Sequence, residues 1–212
     1  MIRNLHLSVA EPDDVTETAV VTGEYDYCHY LYDGTDDRGW GCGYRTLQTI
    51  ISWMILNRYN CRDKKIPSLE QIQQILVDIE DKPPEFAGSR EWVGSVEVGL
   101  VVDQFCDVPC KIVHSRSGEE LESVFDQVFQ QLQHKKCPIM MGGDLDNSSK
   151  GIFGACKSEK DKYFLIIDPH FVKTKENSNI TASDLIELRW VKWQKLKDFN
   201  QSSFYNLCLP QA

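Results

Sequence analysis

Leu47, Ile50, Ile51, Met54 and Ile55 fall at i, i+3, i+4, i+7 and i+8, one apolar stripe that predicts an amphipathic helix directly behind the run DDRGWGCGYRT. A second helix is predicted from Ser68, where Ser68 and Gln71 form a capping-box pattern and Leu69, Ile72, Leu76 and Ile79 supply the inward face. A third follows Ser117, with Glu120 completing another capping box and Leu121, Val124, Phe125, Val128 and Leu132 turned inward. A shorter helix is expected over about 95–105. The second half of the chain changes period. CKIVHS, CPIMMGG, KYFLIID, LIELRWVKW and FYNLCLP are short, rich in β-branched and aromatic residues, and bounded by Gly, Pro or charged turns, so each predicts a strand. The polar runs 144–149 and 173–181 predict surface loops. Helices followed mostly by strands imply an α+β domain with a largely antiparallel sheet. With 212 residues and no internal repeat, one domain covering 1–212 suffices.

Composition narrows the partners. Hydrophobic residues make up 42% and charged residues 26%, as in an ordinary globular chain. The net charge of -9 speaks against non-specific binding to nucleic acid or to anionic membranes, which need clustered Lys and Arg. The apolar run IISWMIL falls far short of the about 20 residues of a membrane span. MIRNLHLSVAEPDD has neither a sustained apolar core nor a small-residue cleavage site, so a cytoplasmic, reducing location is expected. The cysteines then read as buried thiols, as for Cys137 in KKCPIMMGG and Cys208 in YNLCLP. Cys106, Cys110 and His114 have a metal-like spacing, but Pro109 and the strand-like CKIV interrupt it, and no metal is expected.

Cys42 stands between Gly41 and Gly43 at the predicted start of the first helix. The free N–H groups and positive dipole end of a helix stabilise a thiolate, and the thiolate is the nucleophilic form. Glycines on either side would let another chain approach the sulfur closely. Such a nucleophile needs an imidazole to take and return a proton. Of His6, His29, His114, His134 and His170, the last closes YFLIIDPHF, where an apolar strand runs into Asp168-Pro169-His170. Residues two apart on an extended chain face the same side, and Pro169 biases Asp168 toward extended backbone, so carboxylate and imidazole share one region. That is the base and orienter of a nucleophile–base–orienter triad. An attacked carbonyl also needs oxyanion donors. The Cys42 N–H is one, and a neutral tyrosine hydroxyl is another; Tyr25, Tyr27, Tyr30 and Tyr32 all lie in GEYDYCHYLYDG, and composition alone does not choose among them.

HYLYDGTDDRGWGCGYRTLQT, EWVGSVEVGLVVD, PIMMGGD and LIIDPHF, in this order, resemble the signatures of the ubiquitin-fold-modifier-specific cysteine proteases, and the likeness runs from about residue 20 to the end. In length the chain resembles the short form of that family, a catalytic domain without the long N-terminal extension. The resemblance implies a papain-like fold, with the cysteine at a helix N-terminus against a sheet carrying Asp and His. It implies Cys42 as nucleophile, His170 as general base and acid, Asp168 as its orienting partner and Tyr30 as the oxyanion-hole tyrosine. It further implies cleavage after the C-terminal glycine of the ubiquitin-fold modifier, in the precursor and in conjugates, without a cofactor. A monomer is expected. A tail ending in glycine fits a narrow slot, for which Trp40, Gly41, Gly43 and Trp92 are candidate substrate-binding residues. Two other readings stand beside this one. An autophagy-type cysteine protease shares Gly-Trp-Gly-Cys and Asp-Pro-His but not the GYRTLQT and EWVGSVEVGLVVD stretches. A non-catalytic modifier-binding module would need neither thiolate nor base.

Overall fold

In the computed structural model, which describes residues 2–146, 148–173 and 179–212, the apolar stripe behind Cys42 forms helix α1 (Cys42–Leu56). Leu47, Ile50, Ile51 and Met54 on it are wholly excluded from solvent. Each such side chain contributes about 1.5–3 kcal/mol by burial, which outweighs the at most about 0.7 kcal/mol by which a Thr or Ile lowers helix propensity. Packing therefore decides this helix. Helix α2 (Leu69–Asp78) opens with the expected reciprocal Ser68–Gln71 capping box. Helix α3 (Ser95–Cys106) begins at Gly94, and its Gly99 lets it lie close against Cys110, Ile112 and Cys208. Helix α4 (Leu121–His134) buries Leu121, Val124, Phe125, Val128 and Leu132. The expected Ser117–Glu120 box is replaced by a 3-10 turn over Gly118–Glu120 with no side-chain cap, and Ser123 instead bonds back to the Glu120 carbonyl.

The strands are β1 (Val15–Val20), β2 (Cys110–Ser115), β3 (Ile139–Gly143), β4 (Ser149–Ser158), β5 (Lys162–Ile167), β6 (Val191–Lys195) and β7 (Tyr205–Pro210). They form one antiparallel sheet in the order β2-β7-β3-β4-β5-β6, with β1 also pairing along β4. Helix α1 packs on α3 and β4, α3 on β7 and β2, and α4 on β4 and β1, so helices and sheet share one apolar core. The α+β class and the antiparallel sheet agree with the sequence reading.

Two expectations need correction. LIELRWVKW is not one strand: Thr181 and Asp184 form a capping box that starts helix α5 (Ala182–Glu187), and extended chain begins only at Val191. The expected loop 144–149 stops short of Ser149, which is already in β4 opposite Gly142. Residue 147 in that loop, and 174–178 in the loop expected over 173–181, lie outside the described residues. Among the described residues, no helix is long and apolar enough to cross a membrane.

Candidate active site

The turn that delivers Cys42 is organised by a buried carboxylate. Asp37 is wholly excluded from solvent, and its carbonyl accepts the N–H groups of Gly41 at 2.7 Å and Trp40 at 3.2 Å. Its Oδ1 accepts the Leu31 N–H at 3.0 Å and its Oδ2 accepts Arg45 Nε at 2.6 Å. The buried Arg45 guanidinium also donates to both carboxylate oxygens of Asp33, at 2.7 and 2.9 Å, and lies 4.7 Å over the Tyr32 ring. Leu31 has φ of +58°, a left-handed conformation that costs a residue with a side chain about 1–2 kcal/mol and that the Asp37 bond helps to hold. Leu31, Gly41 and Arg45 are thus tied to one residue, Leu31 and Arg45 through its carboxylate and Gly41 through its carbonyl.

The flanking glycines serve a different end from the one expected. A Cβ on Gly41 would stand 2.1 Å from Asp37 Oδ2, and one on Gly43 would stand 2.3 Å from the Val93 carbonyl oxygen. The space they leave is filled by this chain's own atoms rather than left open for a substrate. Trp40 is packed against the core, edge-on to Tyr44 at 5.5 Å.

The other half of the site enters from the sheet. Beyond the end of β5, the Asp168 N–H donates to the Trp190 carbonyl at 2.9 Å, and the Asp168 carbonyl accepts Tyr27 Oη at 2.5 Å. Asp168 Oδ1 accepts the His170 N–H at 2.9 Å and lies 2.6 Å from His170 Nδ1, leaving Nε2 for the sulfur. The Pro169 carbonyl accepts the Tyr30 N–H at 3.0 Å, which brings the Tyr30 and His170 rings edge to face at 5.1 Å. Of the four candidate tyrosines, Tyr30 is the one whose hydroxyl meets Cys42, with a backbone bond to Gly39 beside it.

Burial pushes the Cys42 thiol up, but hydrogen bonds from His170 and from the Ser149 backbone, with the imidazolium charge, outweigh it and hold the thiol below its ordinary value. Burial pushes His170 down, yet hydrogen bonds to Asp168 and Cys42 and their negative charge raise it to about 9. For Asp168 burial raises the carboxyl, and the His170 ring reverses that, leaving it below the usual range. Burial first, and then the charge on Cys42, keep the Tyr30 phenol above its ordinary value and hence neutral. The arrangement can hold a thiolate–imidazolium pair with a neutral hydroxyl donor beside it, the equipment of nucleophilic acyl transfer.

Ser149 escaped the sequence reading. It bonds to Cys42 through both backbone and side chain, and only the β3–β4 register, which places it opposite Gly142, brings it there. The remaining histidines are occupied elsewhere. His6 lies between Tyr25 Oη and the Val21 carbonyl, His29 bonds to the Tyr30 carbonyl, His114 to Asn206 Oδ1, and His134 sits in the last turn of α4. Among the described residues no group of three or more His, Cys, Asp or Glu is placed to hold a metal, and all the cysteines are free thiols.

Cys42 opens into a groove of about 240 Å³ walled by Trp92, Val93, Gly94 and Ser95 on one side and by Gly142, Gly143, Asp144, Ser148 and Ser149 on the other. Of the expected substrate-binding residues, Trp92 lines this groove, half exposed and donating its indole N–H to the Gly39 carbonyl at 3.1 Å, whereas Trp40, Gly41 and Gly43 do not line it.

The chain is similar to known proteins. The family model described as Peptidase family C78 matches residues 16–208. The chain is similar to Ufm1-specific protease 1 of Mus musculus, 38% identical over 214 residues that cover 100% of this chain and 94% of the relative. It is also similar to the Ufm1-specific protease of Caenorhabditis elegans, 38% identical over 212 residues that cover 100% of this chain and 35% of the relative. The crystal structure of UfSP from C. elegans superposes with a TM-score of 0.84 at 33% identity, covering 99% of this chain and 37% of that one. The chain therefore spans about a third of the length of its longer relatives.

Proposed function

The chain belongs to peptidase family C78, and from that premise and the geometry around Cys42 we propose that it is a thiol peptidase cleaving after the C-terminal glycine of Ufm1, in the precursor and in conjugates. The observation that carries the reading is the line Cys42–His170–Asp168, in which hydrogen bonding to one imidazole lowers the thiol while a carboxylate 2.6 Å away raises the ring. The Cys42 thiolate attacks the glycine carbonyl carbon. The oxyanion takes hydrogen bonds from the Cys42 N–H at the helix start and from the Tyr30 hydroxyl. Collapse breaks the C–N bond, and His170 gives its proton to the departing amine. Water, deprotonated by the now neutral His170, then attacks the thioester and releases the carboxylate and the thiolate. Asp168 holds Nδ1 and so keeps Nε2 turned to the sulfur.

The groove supports a slender substrate. At about 240 Å³ it lies below the ~300–1,000 Å³ of typical small-molecule sites, and Gly94 and Gly142 both line it. Residues 1–212 act in this reading as one catalytic domain, monomeric and cytoplasmic, with no cofactor. Cys42→Ala should reduce kcat/KM on Ufm1 carrying aminomethylcoumarin at its terminal glycine by about 10⁴-fold or more, with native circular dichroism and thermal unfolding retained. Undiminished cleavage by that variant overturns the reading. Trimming of an autophagy modifier's precursor in place of Ufm1 would transfer the activity to the other substrate, and binding without turnover by the parent would leave a non-catalytic module.

A further inference from the structure

We infer that Asp144 forms a subsite for a cationic side chain, Arg or Lys, carried by the substrate tail within a few residues before the scissile glycine. The inference rests on the peptidase reading above. Among the described residues, Asp144 is the one carboxylate lining the groove that Cys42 opens into, and no Lys or Arg lines it. Its carboxylate is held but not neutralised. Oδ1 accepts the Leu145 N–H at 2.6 Å, the Phe204 N–H at 2.8 Å and Ser203 Oγ at 2.9 Å, while no hydrogen bond or ion pair among the described residues reaches Oδ2. Other acids nearby are already matched: Asp146 with Lys150, Asp37 and Asp33 with Arg45. An exposed carboxylate held in one orientation at a groove wall suits a cationic partner, because it gives up little rotamer freedom on binding.

Depth along the groove follows from register. Gly142 lies opposite Ser149, the residue that bonds to the sulfur, and Asp144 is two residues beyond Gly142 in the bend that ends β3, at most about 7 Å on by the rise of an extended chain. A tail lying extended with its glycine at Cys42 brings a side chain two or three residues away to that depth. The leaving group differs between a precursor and a conjugated lysine, whereas the acyl side is the same in both, so a fixed recognition device belongs to the acyl side. The hydrogen bonds from Ser203 and from the Leu145 N–H also hold the Asp144 carboxyl below its ordinary value, which keeps it charged at neutral pH.

The test uses Ufm1 with aminomethylcoumarin at its terminal glycine and the second, third or fourth residue before that glycine set in turn to Arg, Gln or Glu. The parent should prefer Arg to Gln at one of these positions by about fivefold in kcat/KM, the upper end for an exposed ion pair. The preference should shrink toward one at about 1 M salt, where the screening length is ~3 Å. Asp144→Asn should flatten the Arg-to-Gln ratio, and Asp144→Lys should turn it toward Glu. Reading the ratio separates recognition from any general loosening of the Leu145 and Phe204 bonds, which would slow all substrates alike. A flat ratio in the parent, or an Arg preference that persists in Asp144→Lys, overturns the subsite while leaving the peptidase intact. If the parent cleaves none of the substrates, the peptidase reading and the subsite fall together.

Discussion

Helix layer and sheet layer bring their functional groups together at Cys42 by different means. On the helix side the glycines flanking Cys42 are pressed against neighbouring atoms, and an Asp37–Arg45–Asp33 network, with Asp37 and Arg45 wholly buried, positions the turn. On the sheet side, Asp168 and His170 follow an apolar strand whose ladder sets their direction, and their own hydrogen bonds complete the geometry. The wholly buried charges of Asp37 and Arg45 are structural; the charge on the second side, about a quarter exposed, is available for chemistry. The two sides should therefore respond to mutation in different observables.

Arg45→Leu removes the partner of the fully buried Asp37 and should destabilise the fold by about 3–5 kcal/mol in urea titration. A loss below about 1 kcal/mol would mean that the network is not what holds the helix side. Tyr30→Phe deletes one proposed oxyanion donor without touching the backbone bonds to Pro169, and should lower kcat by about 10²-fold with little change in stability. An equal loss in Tyr27→Phe, whose hydroxyl bonds to the Asp168 carbonyl, would remove the distinction between the two tyrosines. Smallest is a shift of a pH limb. Because burial is outweighed by Asp168 and Cys42, His170 keeps its proton up to about 9, so kcat/KM should fall as pH rises through about 9. Asp168→Asn should move that limb to lower pH. For stability the sign is the same: with the folded value raised from 6.5 to about 9, the ion-pair contribution is complete below 6.5 and is lost as pH rises through about 9. A limb that stays in place in Asp168→Asn would detach the carboxylate from the imidazole.

The sequence made much of this legible because its strongest signals are local. The stripe from Leu47 to Ile55, the Ser68–Gln71 box and the apolar strand before Asp168 each encode an element within a few residues. Strand β4 did not announce itself, since Gly151 and Gly154 interrupt its pattern; Gly154 is there because Trp193, Val20 and Leu165 close on it, which is information from distant strands. Leu185 and Ile186 read as strand because a helix of one and a half turns is too short to show its period. At the site, Cys42, Asp168 and His170 could be chosen from chemistry, whereas Tyr30 needed the family resemblance. Ser149 and Asp37 could not be found in this way, because their roles arise from strand pairing and from a fold-back of the chain onto Arg45.

Tyr30 is fastened on both sides of the molecule, its own N–H to Pro169 and the next residue's N–H to Asp37. It acts as a seam between helices and sheet, and the two halves cannot part like jaws without breaking one of these bonds. In the proposed reaction a tail would then be threaded into a slot whose width is already set. Selection for glycine would follow from the gauge of that slot, with no closing lid needed to reject bulkier residues.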